Sequence, residues 1–164
     1  MPTIASLGNL WSFVKKNAEL AKLAYGANYD QVMEAPVTIA LFTDTDLQKR
    51  ARKIARVGGV KNFTDEQLQY FMQNLPAEFT RYDAQQTSDY LALNAGLVAM
   101  NLVLALTDQG IGTNIILGFD KSKINEVLDI EERFRPEVLI TVGYAAEKVE
   151  PSYRLPVDEI IDKR

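Results

Sequence analysis

Residues 88–120, SDYLALNAGLVAMNLVLALTDQGIGTNIILGFD, decide the fold. From Tyr90 to Leu106 no charged side chain occurs, and the run closes on Asp108, Gly110 and Gly112, the way a helix stops. We read it as a buried helix. Leu91, Val98 and Leu102 form one apolar ridge, Leu97 and Leu104 a second, and Ala92, Ala95, Gly96 and Ala99 a stripe that another backbone can approach closely. A helix apolar on every side needs cover on every side. One core in a chain of 164 residues supplies only part of it, so the surplus face predicts a partner subunit. Asn94 and Asn101 share a face and read as buried amides bonding across that interface rather than as catalytic groups. A membrane span is disfavoured, because the run is short, the two asparagines interrupt it and its flanks are acidic.

Beyond the helix, Gly110 and Gly112 turn the chain into a strand over Thr113–Leu117. Gly118 then marks a turn, and a new helix starts with Asp120 or Ser122 as its cap.

The composition, 47% hydrophobic and 24% charged, fits one ordinary soluble domain with a sizeable core. A net charge of -4 argues against a general nucleic-acid binder, which must neutralise phosphates. The absence of cysteine removes disulfides, thiolate nucleophiles and thiolate metal sites, and suits a cytoplasmic protein. The absence of histidine removes imidazole acid–base chemistry, imidazole metal ligands and the Ser-His-Asp triad. An enzyme of this composition leaves its chemistry to a bound organic cofactor. The first residues lack the basic-then-apolar order of a secretory signal.

Taken in order, Trp11, Phe13 and Val14 suggest a short strand, Ala18–Tyr25 a helix ended by Gly26, and Gln31–Glu34 a helical turn. Val37–Phe42 is a central strand by its β-branched, apolar content. Asp44 and Asp46 read as helix capping in a solvated turn rather than a cation site. Lys49, Arg50, Arg52, Lys53 and Arg56 read as a solvated helix face. Thr64 and Gln67 make a capping box for a helix that Pro76 stops. Phe63, Tyr70, Phe71, Phe79 and Tyr82 make this region aromatic, as core or lid packing or the lining of a flat pocket. A polar stretch, Arg81–Ser88, leads to the long helix. Ser122–Leu128 is a short amphipathic helix, Glu131 to Arg135 a charged turn, and Pro136 opens a strand, Val138–Tyr144. The remaining residues are too poor in apolar side chains to make a core and should lie along another surface. Gly110-Ile-Gly112 lacks the third glycine of a dinucleotide fingerprint and follows a helix. The residues alone therefore give a soluble α+β domain with three or four strands and a dimer-forming helix.

From about Trp11 onward the order of segments resembles the FMN-dependent nitroreductase family. The resemblance is carried by Trp-x-Phe-Val, by A-P-V-T-I-A-L-F, by the long helix running into Gln109-Gly-Ile-Gly-Thr, by Gly118-Phe-Asp, by Arg135-Pro-Glu with V-L-I-T-V-G-Y, and by Arg154-Leu-Pro-Val-Asp-Glu-Ile-Ile. It implies an α+β fold, a mixed or antiparallel sheet flanked by helices, in an intertwined homodimer. Residues 1–164 would be one domain, with 145–164 as a C-terminal arm on the partner. The implied cofactors are FMN and NAD(P)H. Hydride passes through the flavin N5 by ping-pong turnover to a nitroaromatic, quinone or related small-molecule electron acceptor, with no metal, nucleic acid or membrane involved. Backbone of Ile115, Ile116, Leu117 and Gly118 is implied beside the flavin, the amides near Leu117 and Gly118 facing N5 and O4, and Arg154 at the phosphate. No side chain is assigned as catalytic, since the flavin carries the chemistry. The family's Arg-rich opening run has no match here, and its asparagine four residues before the tryptophan falls on Leu7, with Asn9 nearer. That departure leaves an alternative: a flavin-free dimeric module of the same fold, structural or ligand-binding.

Overall fold

The structure, a computed structural model, describes residues 9–14, 17–58, 64–146 and 153–162. Four strands form one sheet: β1 (Asn9–Val14), β2 (Val37–Asp44), β3 (Gly112–Ile116) and β4 (Phe134–Gly143). Their order is β1-β2-β4-β3, and every pairing is antiparallel. The expected α+β class with an antiparallel sheet is what the chain adopts.

The continuous apolar run of β2 explains its central place, since every residue from Thr38 to Asp44 is buried. Alternate residues serve two cores. Ala40 and Phe42 pack with Leu20 of α1 (Asn17–Ala21), Val32 of α2 (Asn28–Glu34) and Ile124 of α6 (Ile124–Leu128). Ile39 and Leu41 pack on the other side with Ala95 and Ala99 of α5 (Ala84–Asp108). Off the end of β2, α3 (Leu47–Gly58) and α4 (Asp65–Glu78) pack against each other. The described tail holds one short helix, α7 (Val157–Ile160).

Several expected boundaries move for physical reasons. The stretch before Ser88 is already helical: Asp83 caps α5, accepting from the Gln86 N–H at 2.7 Å, while the Gln86 side chain accepts from the Asp83 N–H at 3.0 Å. At the other end Gly110, at φ +73°, lets its own N–H and that of Ile111 reach Thr107 and Leu106 carbonyls at 2.9 Å. Thr64 caps α4 as expected, but Pro76 does not stop it. The proline is buried inside the helix, which runs to Glu78 before tightening into a 3-10 turn, and the missing N–H leaves the Met72 carbonyl without its i+4 donor. The first helix is shorter than expected and the second longer, α6 begins at Ile124, and β3 sits one residue earlier. Asp120 instead closes the turn ahead of α6: hydrogen bonds from Ser122, with Lys123 at 3.3 Å, hold its carboxyl below the usual range.

β4 begins at Phe134, so Pro136 lies inside a strand. The register slips there, Leu41 facing Val138 and Phe42 facing Pro136, which leaves Glu137 as the extra residue of a bulge. Asp46 does cap α3, accepting from the Lys49 N–H at 2.9 Å. Asp44, by contrast, is not in a solvated turn: it is 1% exposed, and Arg50 and Arg133 lie 3.1 and 3.6 Å from its carboxylate. Arg50 therefore leaves the solvated face assigned to α3, whereas Lys49, Arg52 and Lys53 are exposed as expected. Phe63 falls outside the described residues. Phe79, Tyr82 and Tyr90 form an edge-packed cluster with centroids 5.4–5.8 Å apart, and burial there raises the Tyr90 pKa.

Candidate functional site

The site is built where β3 leaves the sheet. The ladder with β4 ends at Ile116 opposite Leu139, and at Leu117 and Gly118 the chain turns out of the strand, the Phe119 N–H donating to the Leu117 carbonyl at 3.2 Å. Ile116 is anchored, its side chain buried in the core with Phe119 and Ile124. Ile115 and Leu117 point to the other face and are 43% and 68% exposed.

The Gly118 carbonyl is turned inward. It accepts from the Tyr25 N–H at 2.9 Å and from Asn28 Nδ2 at 3.1 Å, and the Asp120 N–H donates to the Leu23 carbonyl at 2.8 Å. The α1–α2 connection thus holds this segment rigidly from beneath. A Cβ at Gly118 would lie 2.8 Å from Asn28 Nδ2, which is why the position takes glycine: a side chain would displace the amide that fixes its carbonyl. The N–H groups of Leu117 and Gly118 donate to no other described residue. Two adjacent donors without a described partner, on a segment anchored by a buried strand on one side and a hydrogen-bonded loop on the other, are available to a ligand with two neighbouring acceptors. A flavin N5–O4 edge has that chemistry, so the donor set fits FMN.

The expected site residues thus divide. Ile115, Ile116, Leu117 and Gly118 come together as one strand end. Arg154 lies on the described tail, where its Nη1 donates to the Tyr153 carbonyl at 2.9 Å and its side chain is exposed. Asn94, read as an interface amide, is buried against the sheet and donates to the Tyr90 carbonyl of its own helix at 2.7 Å; Asn101 is exposed.

The sequence reading missed two features. Arg135 belongs to a clamp rather than to a charged turn: its guanidinium reaches Ser88 at the start of α5 and Glu137 on the bulge, which Thr43 also contacts at 2.5 Å. A proline inside an apolar strand was the available signal, since proline within a sheet marks a bulge or an edge. Lys121, just past Gly118-Phe-Asp, lines a cleft beside Leu117 together with Ala92, Gly96, Glu137 and Val138. Nothing in its sequence context indicates that placement.

The α5 helix meets the length and composition of a membrane span, yet one face of it is packed on the sheet through Ala95 and Ala99. Its outward face carries Leu93, Leu97, Met100 and Leu104, all exposed in the single chain.

Comparison with known proteins agrees with this architecture. The pattern of the nitroreductase family matches residues 6–144. A Streptococcus pyogenes protein named "Putative NAD(P)H nitroreductase Spy0809" is 60% identical over 157 residues, 94% of this chain and 78% of that protein. The crystal structure of a nitroreductase family protein from Streptococcus pneumoniae superposes with a TM-score of 0.90 at 76% identity, covering 98% of this chain and 85% of that one. A structure from Exiguobacterium sibiricum, solved in complex with FMN, superposes with a TM-score of 0.84 at 27% identity, covering 98% and 82%. With the strand order, the long helix and the glycine-ended strand all in place, the chain belongs to the nitroreductase family.

Proposed function

We propose that this protein is a cytoplasmic, homodimeric FMN-dependent NAD(P)H oxidoreductase that reduces nitroaromatics, quinones or related acceptors. The observation that carries the proposal is the pair of free N–H groups at Leu117 and Gly118, held by the inward-turned Gly118 carbonyl. The relative named as an NAD(P)H nitroreductase and the FMN complex of a structural neighbour support it.

In this reading Leu117 and Gly118 donate to the N5–O4 edge of the flavin, and the backbone of Ile115 and Ile116 runs beside the ring. When bound there, FMN would supply the hydride chemistry between NAD(P)H and the acceptor. The chain's part is to orient the ring and to stabilise charge at its N5–O4 edge, work for backbone donors rather than for a histidine or a cysteine. Arg154 pairs with the phosphate, reaching it from the arm formed by residues 145–164 as that arm lies over the partner subunit. The outward leucines of α5 pack against their counterparts in the second copy.

The test is the visible absorbance of the purified protein, with the flavin released by heat and counted. One FMN per chain, with NAD(P)H oxidation dependent on added quinone or nitroaromatic, is the expected result. A colourless protein that takes up no flavin from excess FMN would sink the proposal in favour of a flavin-free module. Arg154→Ala is expected to weaken FMN binding by roughly tenfold, about 1.5 kcal/mol for one charge-assisted hydrogen bond. An unchanged dissociation constant, measured by quenching of flavin fluorescence, would remove Arg154 from the phosphate site.

A further inference from the structure

Beside the strand end lies a cleft of ≈ 380 Å³ between the flank of α5 and the β3–β4 edge. Its walls are Ala92, Gly96, Ile115, Leu117 and Val138, and Lys121 and Glu137 complete its lining. The charges there do not cancel. Glu137 is committed elsewhere, accepting from Arg135 Nε at 2.7 Å and from Thr43 Oγ1 at 2.5 Å. Lys123, the other lysine of this loop, pairs with Asp120 at 3.3 Å. Lys121 has no carboxylate partner among the described residues. Its ammonium stands 5.8 Å from the ring centroid of Phe119, a buried aromatic on the same loop. An apolar cleft next to the proposed flavin edge therefore has at its mouth an exposed ammonium with no carboxylate partner among the described residues.

Resting on the function proposed above, we propose that Lys121 selects the electron acceptor: the cleft takes a flat conjugated molecule bearing a carboxylate, its ring against Leu117 and its anionic group on the Lys121 ammonium. Charge complementarity favours an anion, because the exposed Lys121 ammonium stands at the mouth of apolar walls with no carboxylate partner among the described residues. A volume of ≈ 380 Å³ lies at the small end of ligand cavities, which run about 300–1,000 Å³, and suits one or two rings rather than a dinucleotide.

The experiment compares 4-nitrobenzoate with nitrobenzene as acceptors for wild type, Lys121→Met and Lys121→Arg, each loaded with FMN. The ratio of kcat/KM for the anionic to the neutral acceptor is expected to fall about tenfold in Lys121→Met, through KM rather than kcat, and to be regained in Lys121→Arg. A ratio that stays within about twofold of wild type in Lys121→Met would overturn the assignment. A second measurement needs no turnover: NMR titration of each protein with 4-nitrobenzoate, where Lys121→Met should weaken binding and Lys121→Arg should keep it. If no acceptor is reduced by any of the three proteins, the oxidoreductase proposal fails. The titration then still decides Lys121, since equal affinity in wild type and Lys121→Met would refute the site.

Discussion

In the homodimer proposed above, Leu97→Asp is expected to leave a monomer or an unfolded chain. Leu93, Leu97, Met100 and Leu104 lie at four- and three-residue steps along one side of α5 and are 62%, 47%, 47% and 56% exposed in the single chain. That spacing is the seam of a helix that packs on another helix. The opposite side is already spent on the sheet through Ala95 and Ala99, and no described residue of the same subunit buries the outward leucines. In a dimer related by two-fold symmetry, each introduced aspartate would meet the equivalent seam of its partner, placing two unpaired carboxylates in an apolar contact. A cost of roughly 4 kcal/mol raises the dissociation constant about 10³-fold. Light scattering on dilution reads the mass directly, and circular dichroism on the same samples separates a folded monomer from an unfolded one. Leu97→Ala, which removes contact without adding charge, should shift the equilibrium in the same direction by less. If Leu97→Asp keeps the wild-type mass, the outward face of α5 is not the dimer seam.

The central parts of this architecture are legible because their signals are local. The run from Val37 to Phe42 must be a buried strand, and the uncharged run from Tyr90 to Leu106 must be a helix with more apolar surface than one core can cover. Gly118 after an apolar strand is visible as a turn. Its reason is not, because that reason is the Asn28 amide brought in by α2. The cap of α5 was present as Asp83 and Gln86, a capping box with aspartate in place of serine or threonine. Pro76 misleads because proline ends helices only on average; here the helix runs on to Glu78 although the proline forfeits one N–H bond in its last turn. Asp44 could not be read as buried, since the cations that make burial tolerable, Arg50 and Arg133, come from a helix and from a turn far along the chain. Lys121 has the same origin: a lysine in a polar turn is ordinarily solvated, and only the packing of α5 beside β3 makes a cleft next to it.

The clamp at Arg135 makes the second large prediction, a loss of stability. Nη1 donates to Ser88 Oγ at 2.7 Å and Nη2 to the Ser88 carbonyl at 3.1 Å, while Nη2 also lies 2.6 Å from Glu137 Oε1. One guanidinium thus ties the first turns of α5 to the bulge of β4. The Glu137 side chain is only 11% exposed. In Arg135→Leu that carboxylate keeps its Thr43 hydroxyl but loses its counter-charge. Breaking a buried pair in this way costs about 3 kcal/mol. In a chain of this length that lowers Tm by about 6–12 °C, read by calorimetry. The asymmetry of buried ion pairs supplies the control. Arg135→Leu combined with Glu137→Leu removes both charges and should recover most of the loss, because what destabilises the single variant is the orphaned carboxylate. A single variant that melts within about 2 °C of wild type would mean that the pair is solvated in solution. A double variant as unstable as the single one would place the whole effect in the lost Ser88 bonds, and the clamp would then act on the start of α5 alone.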